Sequence, residues 1–357
     1  MFTKIRVNLT GVASAVALTL LPVIVQAQSI TVTAWGGAYT KSQEEAMYKP
    51  FTAKSGIKVL SQDYNGDLAE IAAQVKTGNV KWDVVDVELA EAIKGCEEGL
   101  FEKIDASKLP AGDDGTPASK DFLPGLVTPC AVANIYYANV VAYDKAKLGA
   151  NGPKSLNDYF DTSKFPGKRG MRKHPSVNME WALMADGVAP ADIYKVLATP
   201  AGVERAFKKL DTIKSSVVWW TAGAQPPQLL ASGEVVMTSV YHGRIFDANA
   251  KDKRDFALVW DGQVQVPDLF VMVKGTKNLA AAQDFVRFAT STTALTEQAK
   301  WIPYAPARNS SLGKIPAATK AWLPNGGHSG RQMLTSAQFW SEYGDDLNKR
   351  FSAWLAK

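Results

Sequence analysis

Residues 29–60 read SITVTAWGGAYTKSQEEAMYKPFTAKSGIKVL. Ser29–Ala34 alternates apolar residues with β-favouring polar ones, the period-2 signature of a strand, and Trp35-Gly36-Gly37 ends it. From Lys41 to Ser55, Ala46, Met47, Phe51 and Ala53 follow helical spacing, and Pro50 predicts a kink or stop. IKVL at 57–60 is a second strand. Over 67–76, Leu68, Ile71, Ala72 and Val75 share one helical face. WDVVDV at 82–87 is a third strand, followed by a helix over 89–96. Strand–helix–strand–helix order predicts a parallel sheet with helices on its faces.

Outward from that block the pattern shifts. Residues 106–121 are rich in Gly, Pro, Asp and Lys and read as a surface loop. VANIYYANVV at 132–141 is a long apolar, aromatic strand, a candidate crossover into a second domain. That domain is expected to hold a segment at 155–159 and helices over 180–185, 191–197 and 203–213. A strand at 217–219, a helix at 227–231 and a strand at 235–240 follow. Two strands, 256–260 and 264–266, lead back. Helices over 280–290 and 294–299 precede a closing helical region, 336–356, that carries Phe339, Trp340, Tyr343, Phe351 and Trp354. A chain that leaves one α/β domain, builds another and returns has a hinge and a closable cleft. Ligands occupy such clefts, beyond the carboxyl ends of parallel strands, and Trp35 and Glu88 lie just past such ends.

The chain has 357 residues, suited to two domains, and 46% are hydrophobic against 21% charged, which suffices for real cores. A mean hydropathy of −0.12 argues against a polytopic membrane protein. The net charge of +5 comes with no basic run, so nucleic acid is not an expected partner. Three His and two Cys, with no C-x-x-C or H-E-x-x-H, leave no metal site or cofactor to expect. G-x-S-x-G, S-x-x-K and P-loop motifs are absent, and His174, His242 and His328 have no nucleophile at local spacing. A binding protein is therefore expected rather than an exported enzyme, although paired carboxylates for glycoside hydrolysis stay open. Residues 1–27 read as a cleaved export signal: Lys4 and Arg6, an apolar stretch over 12–25, and Val25-Gln26-Ala27 before the cut. After export to an oxidising compartment, Cys96 and Cys130, the only cysteines, are expected to pair.

The ordered set of motifs carries a resemblance. After the leader come Trp35-Gly36-Gly37, Gly56-Ile57-Lys58-Val59, Trp82-Asp83-Val84-Val85, Gly99-Leu100 and Ile104-Asp105. Ser232-Gly233-Glu234-Val235 precedes a strand ending in Tyr241-His242-Gly243-Arg244, and Pro303-Tyr304-Ala305-Pro306 comes near the end. Along nearly the whole mature chain this resembles the periplasmic solute-binding proteins of ABC importers, in their spermidine/putrescine-binding branch. The resemblance implies a type II two-lobed α/β fold with mainly parallel sheets and a hinge of crossing strands. It implies a monomeric receptor that hands its solute to a membrane permease, and no catalysis. The lobes would be residues 28–134 with 266–310, and 135–265 with 311–357. It also implies ligand-binding roles for Trp35, Tyr241, Asp268 and Tyr304. The sequence departs from the branch at Glu88, where the family has a small polar residue, and at Val266, where it has tryptophan. Glu180 is the nearest match to the acids of the family's second lobe.

A polyamine needs aromatic faces, at ~0.5–2 kcal/mol per cation contact, and carboxylates for its ammonium ends. Trp35, Trp220 and Tyr241 would supply walls, and Glu88 and Asp268 the anionic ends. Trp219 and Trp220 face opposite sides of a strand, and Trp220 is taken for the cleft because Thr221-Ala222-Gly223 follows it. A second ligand class also fits. Backbone N–H groups of Gly36 and Gly37, with Arg244 and Arg308 as clamps, would favour an anionic or zwitterionic solute. A third is ferric ion held by Tyr136, Tyr137 and Tyr241, although Tyr136 and Tyr137 point to opposite faces of their strand.

Overall fold

The structure is a computed structural model that describes residues 1–4, 28–66 and 68–357. The expected leader beyond its first four residues, and Asp67, lie outside the described residues. Among the described residues ten strands join in one sheet: β1 (Ser29–Ala34), β2 (Lys58–Asp63), β3 (Val84–Glu88), β4 (Ala131–Asp144), β5 (Arg169–Arg172), β6 (Val217–Trp220), β7 (Met237–Tyr241), β8 (Phe256–Met272), β9 (Ala305–Pro306) and β10 (Gln332–Leu334). Their order is β2-β1-β3-β8-β4-β7-β5-β6, with β9 on β4 and β10 on β8.

One parallel set, β2-β1-β3, stands at one end, and another, β7-β5-β6, at the other. Between them run β4 and β8, antiparallel to each other and long enough to serve both sets. The start of β4 pairs with the end of β8 beside β3, and the end of β4 pairs with the start of β8 beside β7. Their register breaks at Ala133/Ile135 and again at Asn139/Val141, the second break leaving β8 residues 260–263 out of the β4 ladder. The apolar core divides likewise. Val32, Met47, Ile71, Trp82, Phe270 and Phe285 share one cluster. Leu156, Trp181, Ile193, Leu210 and Phe351 share another. Strands β3 and β4 are covered on both faces, which is why they read as apolar runs rather than alternating ones.

Several expectations need correction. The first helical region runs on from Gly37 to Ser55, through Pro50. A wide π-type turn at Glu44–Tyr48 precedes the proline and absorbs its missing N–H without a stop. The returning strands at 256–260 and 264–266 are one strand, β8. Strand β5 had no sequence signal, because GKRGMRKH lacks apolar alternation. Hydrogen bonds define it instead: the fully buried Arg169 donates to the carbonyls of Tyr159 at 2.9 Å, Gly167 at 2.7 Å and Asp161 at 3.0 Å.

The segment expected as a surface loop ends on the buried Asp121, which accepts from Arg308 Nε at 2.7 Å. Arg308 also donates to the carbonyls of Thr290 at 2.9 Å and Pro110 at 2.6 Å, and its guanidinium lies 4.5 Å from the Phe122 ring centre. All its reach is taken up inside the first lobe, so Arg308 anchors the fold and clamps no solute. Cys96 and Cys130 are joined, with Cα atoms 5.8 Å apart. The bridge ties the helix Leu89–Glu97 to the start of β4 and closes a loop worth ~3–4 kcal/mol in chain entropy.

Candidate functional site

The parallel strands all point their carboxyl ends at the gap between the lobes. Trp35 follows β1, and Glu88 is the last residue of β3. From the other lobe, Arg172, Trp220 and Tyr241 are the last residues of β5, β6 and β7. The crossing strands add Tyr137 from β4 and Asp268 from β8. A helix, His242–Lys251, begins directly after Tyr241 and carries Arg244.

Of these, Trp35, Glu88, Tyr137, Tyr241, Arg244 and Asp268 meet with Tyr39 and Tyr304 around a cavity of ≈ 240 Å³. It is narrow, with room for about one water. Its walls are aromatic and mutually packed. Tyr137 stands edge-on to Tyr241 at 5.0 Å and lies 5.7 Å from Tyr304, which lies 5.5 Å from Tyr39. Trp220 is 1% exposed and does not line the cavity; it backs Tyr241 edge-on at 5.7 Å. Trp219, on the opposite face, packs against Phe351 and Trp354 of the closing helix.

Charge inside the cavity is unevenly matched. Glu88 Oε1 accepts from Tyr137 Oη at 2.7 Å and from Arg172 at 3.4 Å across the gap. Asp268 is 3% exposed, and its Oδ1 is buried with no hydrogen-bond partner among the described residues. Burial, reinforced by Asp86, Glu88 and Glu91, pushes the Asp268 carboxyl well above its ordinary range. Arg244 donates to the carbonyls of Gly36 at 2.6 Å and Trp35 at 3.2 Å, bridging the lobes, while its buried Nε has no partner among the described residues.

Gly36 and Gly37 pack against that arginine, and neither lines the cavity. Both hold positive φ, +71° and +59°. A Cβ on Gly37 would stand 2.8 Å from the Arg244 guanidinium. The Gly36 N–H is already donated to Thr40 Oγ1 at 2.8 Å. Glu180 is also no ligand group: it lies buried in the second lobe, accepting from Trp340 Nε1 at 2.7 Å and Tyr194 Oη at 2.9 Å. For ferric ion, Tyr136 is turned away into a separate cluster with Ala299, Ile315 and Leu323, so the three tyrosines do not converge. Among the described residues no group of three His, Cys, Asp or Glu could hold a metal.

Sequence reasoning missed three residues here, Asp86, Tyr39 and Arg172, and offered Tyr137 only as a ligand to ferric ion. Asp86, inside β3, is fully buried and accepts from Tyr39 Oη at 2.7 Å, Asn134 Nδ2 at 2.8 Å and Gln43 Nε2. Burial pushes it up to about 7 against those bonds. An acid in the middle of an apolar strand was the signal available. Tyr137 lies in an apolar run typical of core tyrosines, and Tyr39 opens a helix in GGAYTKSQ with no feature to mark it. Arg172 ends a strand that had no signal of its own.

The fold and this site define a receptor for a small solute. The chain belongs to the bacterial extracellular solute-binding proteins, whose family model matches residues 46–324. It is therefore the substrate-binding component of an ABC transporter and not an enzyme. Over 353 residues it is 42% identical to the gamma-aminobutyric acid-binding protein of Pseudomonas aeruginosa, covering 99% of this chain and 96% of that one. Among solved structures, the Atu4243 GABA receptor superposes with a TM-score of 0.79 at 35% identity, covering 92% of this chain and 98% of its own. MotA of A. tumefaciens B6, in complex with glucopine, superposes at 0.84 with 28% identity over 92% of this chain and all of its own. The polyamine branch is more distant. A spermidine/putrescine-binding protein of Streptococcus pneumoniae matches at 15% identity and TM-score 0.67, a likeness of fold alone. Among the described residues no helix is long and apolar enough to cross a membrane.

Proposed function

We propose that this receptor captures a small zwitterion of the ω-amino-acid type, γ-aminobutyric acid (GABA) or a close analogue, in the periplasm and delivers it to a membrane permease. The observation that carries the reading is a pair of buried atoms on one aromatic cavity with no hydrogen-bond partner among the described residues: Asp268 Oδ1 and Arg244 Nε. A carboxylate there accepts from an ammonium, and a guanidinium donates to a carboxylate. The rings of Tyr137, Tyr241 and Tyr304 cover the methylenes between. GABA bears both charges at neutral pH, since its carboxyl titrates near ~4 and its amine near ~10. The relatives named for GABA support the same class. The lobes, residues 28–134 with 266–310 and 135–265 with 311–357, part to admit the solute, because the cavity as it stands is too narrow to be entered.

A polyamine fits less well. It needs an acid at each end, and Glu88 is held by Arg172 and Tyr137. Calorimetric titration of the mature protein with GABA, putrescine and glutarate tests the reading. GABA is expected to bind and the other two to fail; preference for putrescine or glutarate would sink it.

A further inference from the structure

Glu88 and Asp268 are direct neighbours across the β3–β8 ladder and both line the cavity, so the site contains two adjacent acids. Two acids are what a diamine requires. One residue breaks that equivalence. Arg172, at the end of β5 in the opposite lobe, reaches 3.4 Å from Glu88 Oε1. Both side chains are largely buried, at 14% and 12% exposure, so the pair is weakly screened. Arg172 itself is not among the residues lining the cavity. Its backbone is fixed: its carbonyl accepts from Asn178 Nδ2 at 2.7 Å and from the His174 N–H at 2.8 Å.

We infer that Arg172 is the residue that sets the charge selectivity of this receptor, by neutralising Glu88 so that a zwitterion is accepted and a diamine of the same length is refused. It acts through Glu88 and is a positioning residue, not a ligand contact. The inference rests on the zwitterion reading above and refines it. With Arg172 in place, Asp268 is the one acid lining the cavity without a cation of its own, and Arg244 is the cation on that wall for a carboxylate. Without Arg172, Glu88 becomes a second open anion beside Asp268. For charges in a partly buried site, that change is expected to be worth roughly 10- to 30-fold in affinity for an added ammonium.

The test compares GABA with putrescine, which replaces the carboxylate end by an ammonium end. Wild type, Arg172→Gln, Arg172→Lys and the double variant Arg172→Gln/Glu88→Gln are titrated by calorimetry, with thermal melts as the check on folding. Arg172→Gln is expected to gain putrescine binding by roughly 10- to 30-fold over wild type. Arg172→Lys, which keeps the charge, is expected to refuse putrescine as wild type does. The double variant is expected to lose the gain. A folded Arg172→Gln protein with no gain, or a gain that persists without Glu88, overturns the inference. Should Arg172→Gln fail to fold, Glu88→Gln poses the reciprocal question: it leaves Arg172 uncompensated and is expected to admit glutarate, and no gain there overturns the inference. Failure of wild type to bind GABA strikes the zwitterion reading instead, so the two are separable.

Discussion

Glu88 and Asp268 are register partners on the antiparallel strands β3 and β8, which sets two carboxylates side by side at the meeting of the lobes. Like charges placed so repel. The protein meets this asymmetrically. Glu88 receives a tyrosine and an arginine, whereas Asp268 is buried with an oxygen unpartnered among the described residues. Function and stability therefore pull in opposite directions at Asp268.

Replacing Asp268 by Asn is expected to weaken GABA binding by about 100-fold, the usual scale for removing one member of a buried charge pair. The same change is expected to hold or raise the melting temperature of the ligand-free protein, because a carboxyl whose ionised form is disfavoured by burial and by Asp86, Glu88 and Glu91 is removed. Calorimetry and a thermal melt on the one variant check both. A large fall in melting temperature would show that Asp268 is structural.

Stability should also depend on pH in a definite direction. Burial, the largest cause in each case, pushes Asp86 and Glu180 up to about 7 and Glu91 to about 8. Such acids hold more protons folded than unfolded, so the stability they contribute is complete below their unfolded pKa and is lost as pH rises through the folded one. Buried His174 and His242, pushed down to about 3 and about 4, act oppositely, but only below their unfolded value of ~6.5. Between about pH 6.5 and 8 the ligand-free protein is therefore expected to lose ~1 kcal/mol from Asp86 alone. Urea melts across that interval check it, and Asp86→Asn should flatten the slope.

Two arginines give opposite phenotypes. Arg308 is bound up with Asp121, Thr290, Pro110 and Phe122 inside one lobe. Arg308→Ala leaves the buried Asp121 unpaired and is expected to cost ~3–5 kcal/mol of stability. Arg244→Gln is expected to fold and to lose GABA binding. Denaturant titrations alongside calorimetry separate the two; equal losses of stability would erase the distinction.

Gly37→Ala probes the contact between the first strand's turn and Arg244. The glycine holds φ at +59°, and its Cβ would meet the guanidinium at 2.8 Å. The left-handed backbone costs an alanine ~1–2 kcal/mol, and the arginine must shift. A loss of about tenfold in GABA affinity is expected, read by calorimetry. An unchanged affinity would show that Arg244 tolerates displacement.

Alternating apolar patterns made the first lobe legible, from β1 through the helix after β3, and the long apolar strand marked the crossing. The strand-end rule then brought Trp35 and Glu88 to one place, and the resemblance added Tyr241, Asp268 and Tyr304. Arg172 stayed hidden because β5 is held by the hydrogen bonds of Arg169 and not by apolar alternation. Trp220 was placed on the correct face but one layer too shallow, since strand parity says nothing of what stands in front. The balance between polyamine and zwitterion was beyond one-dimensional reading. It turns on Arg172 meeting Glu88 from 84 residues away.

Tyr137 and Asp268 ride on β4 and β8, the two ribbons that thread both halves of the molecule. Whatever flexes those ribbons also repositions a ring and a carboxyl on the cavity wall. Posture and affinity are thus mechanically geared to one another, and a permease that pries the halves apart would loosen the cargo by the same stroke.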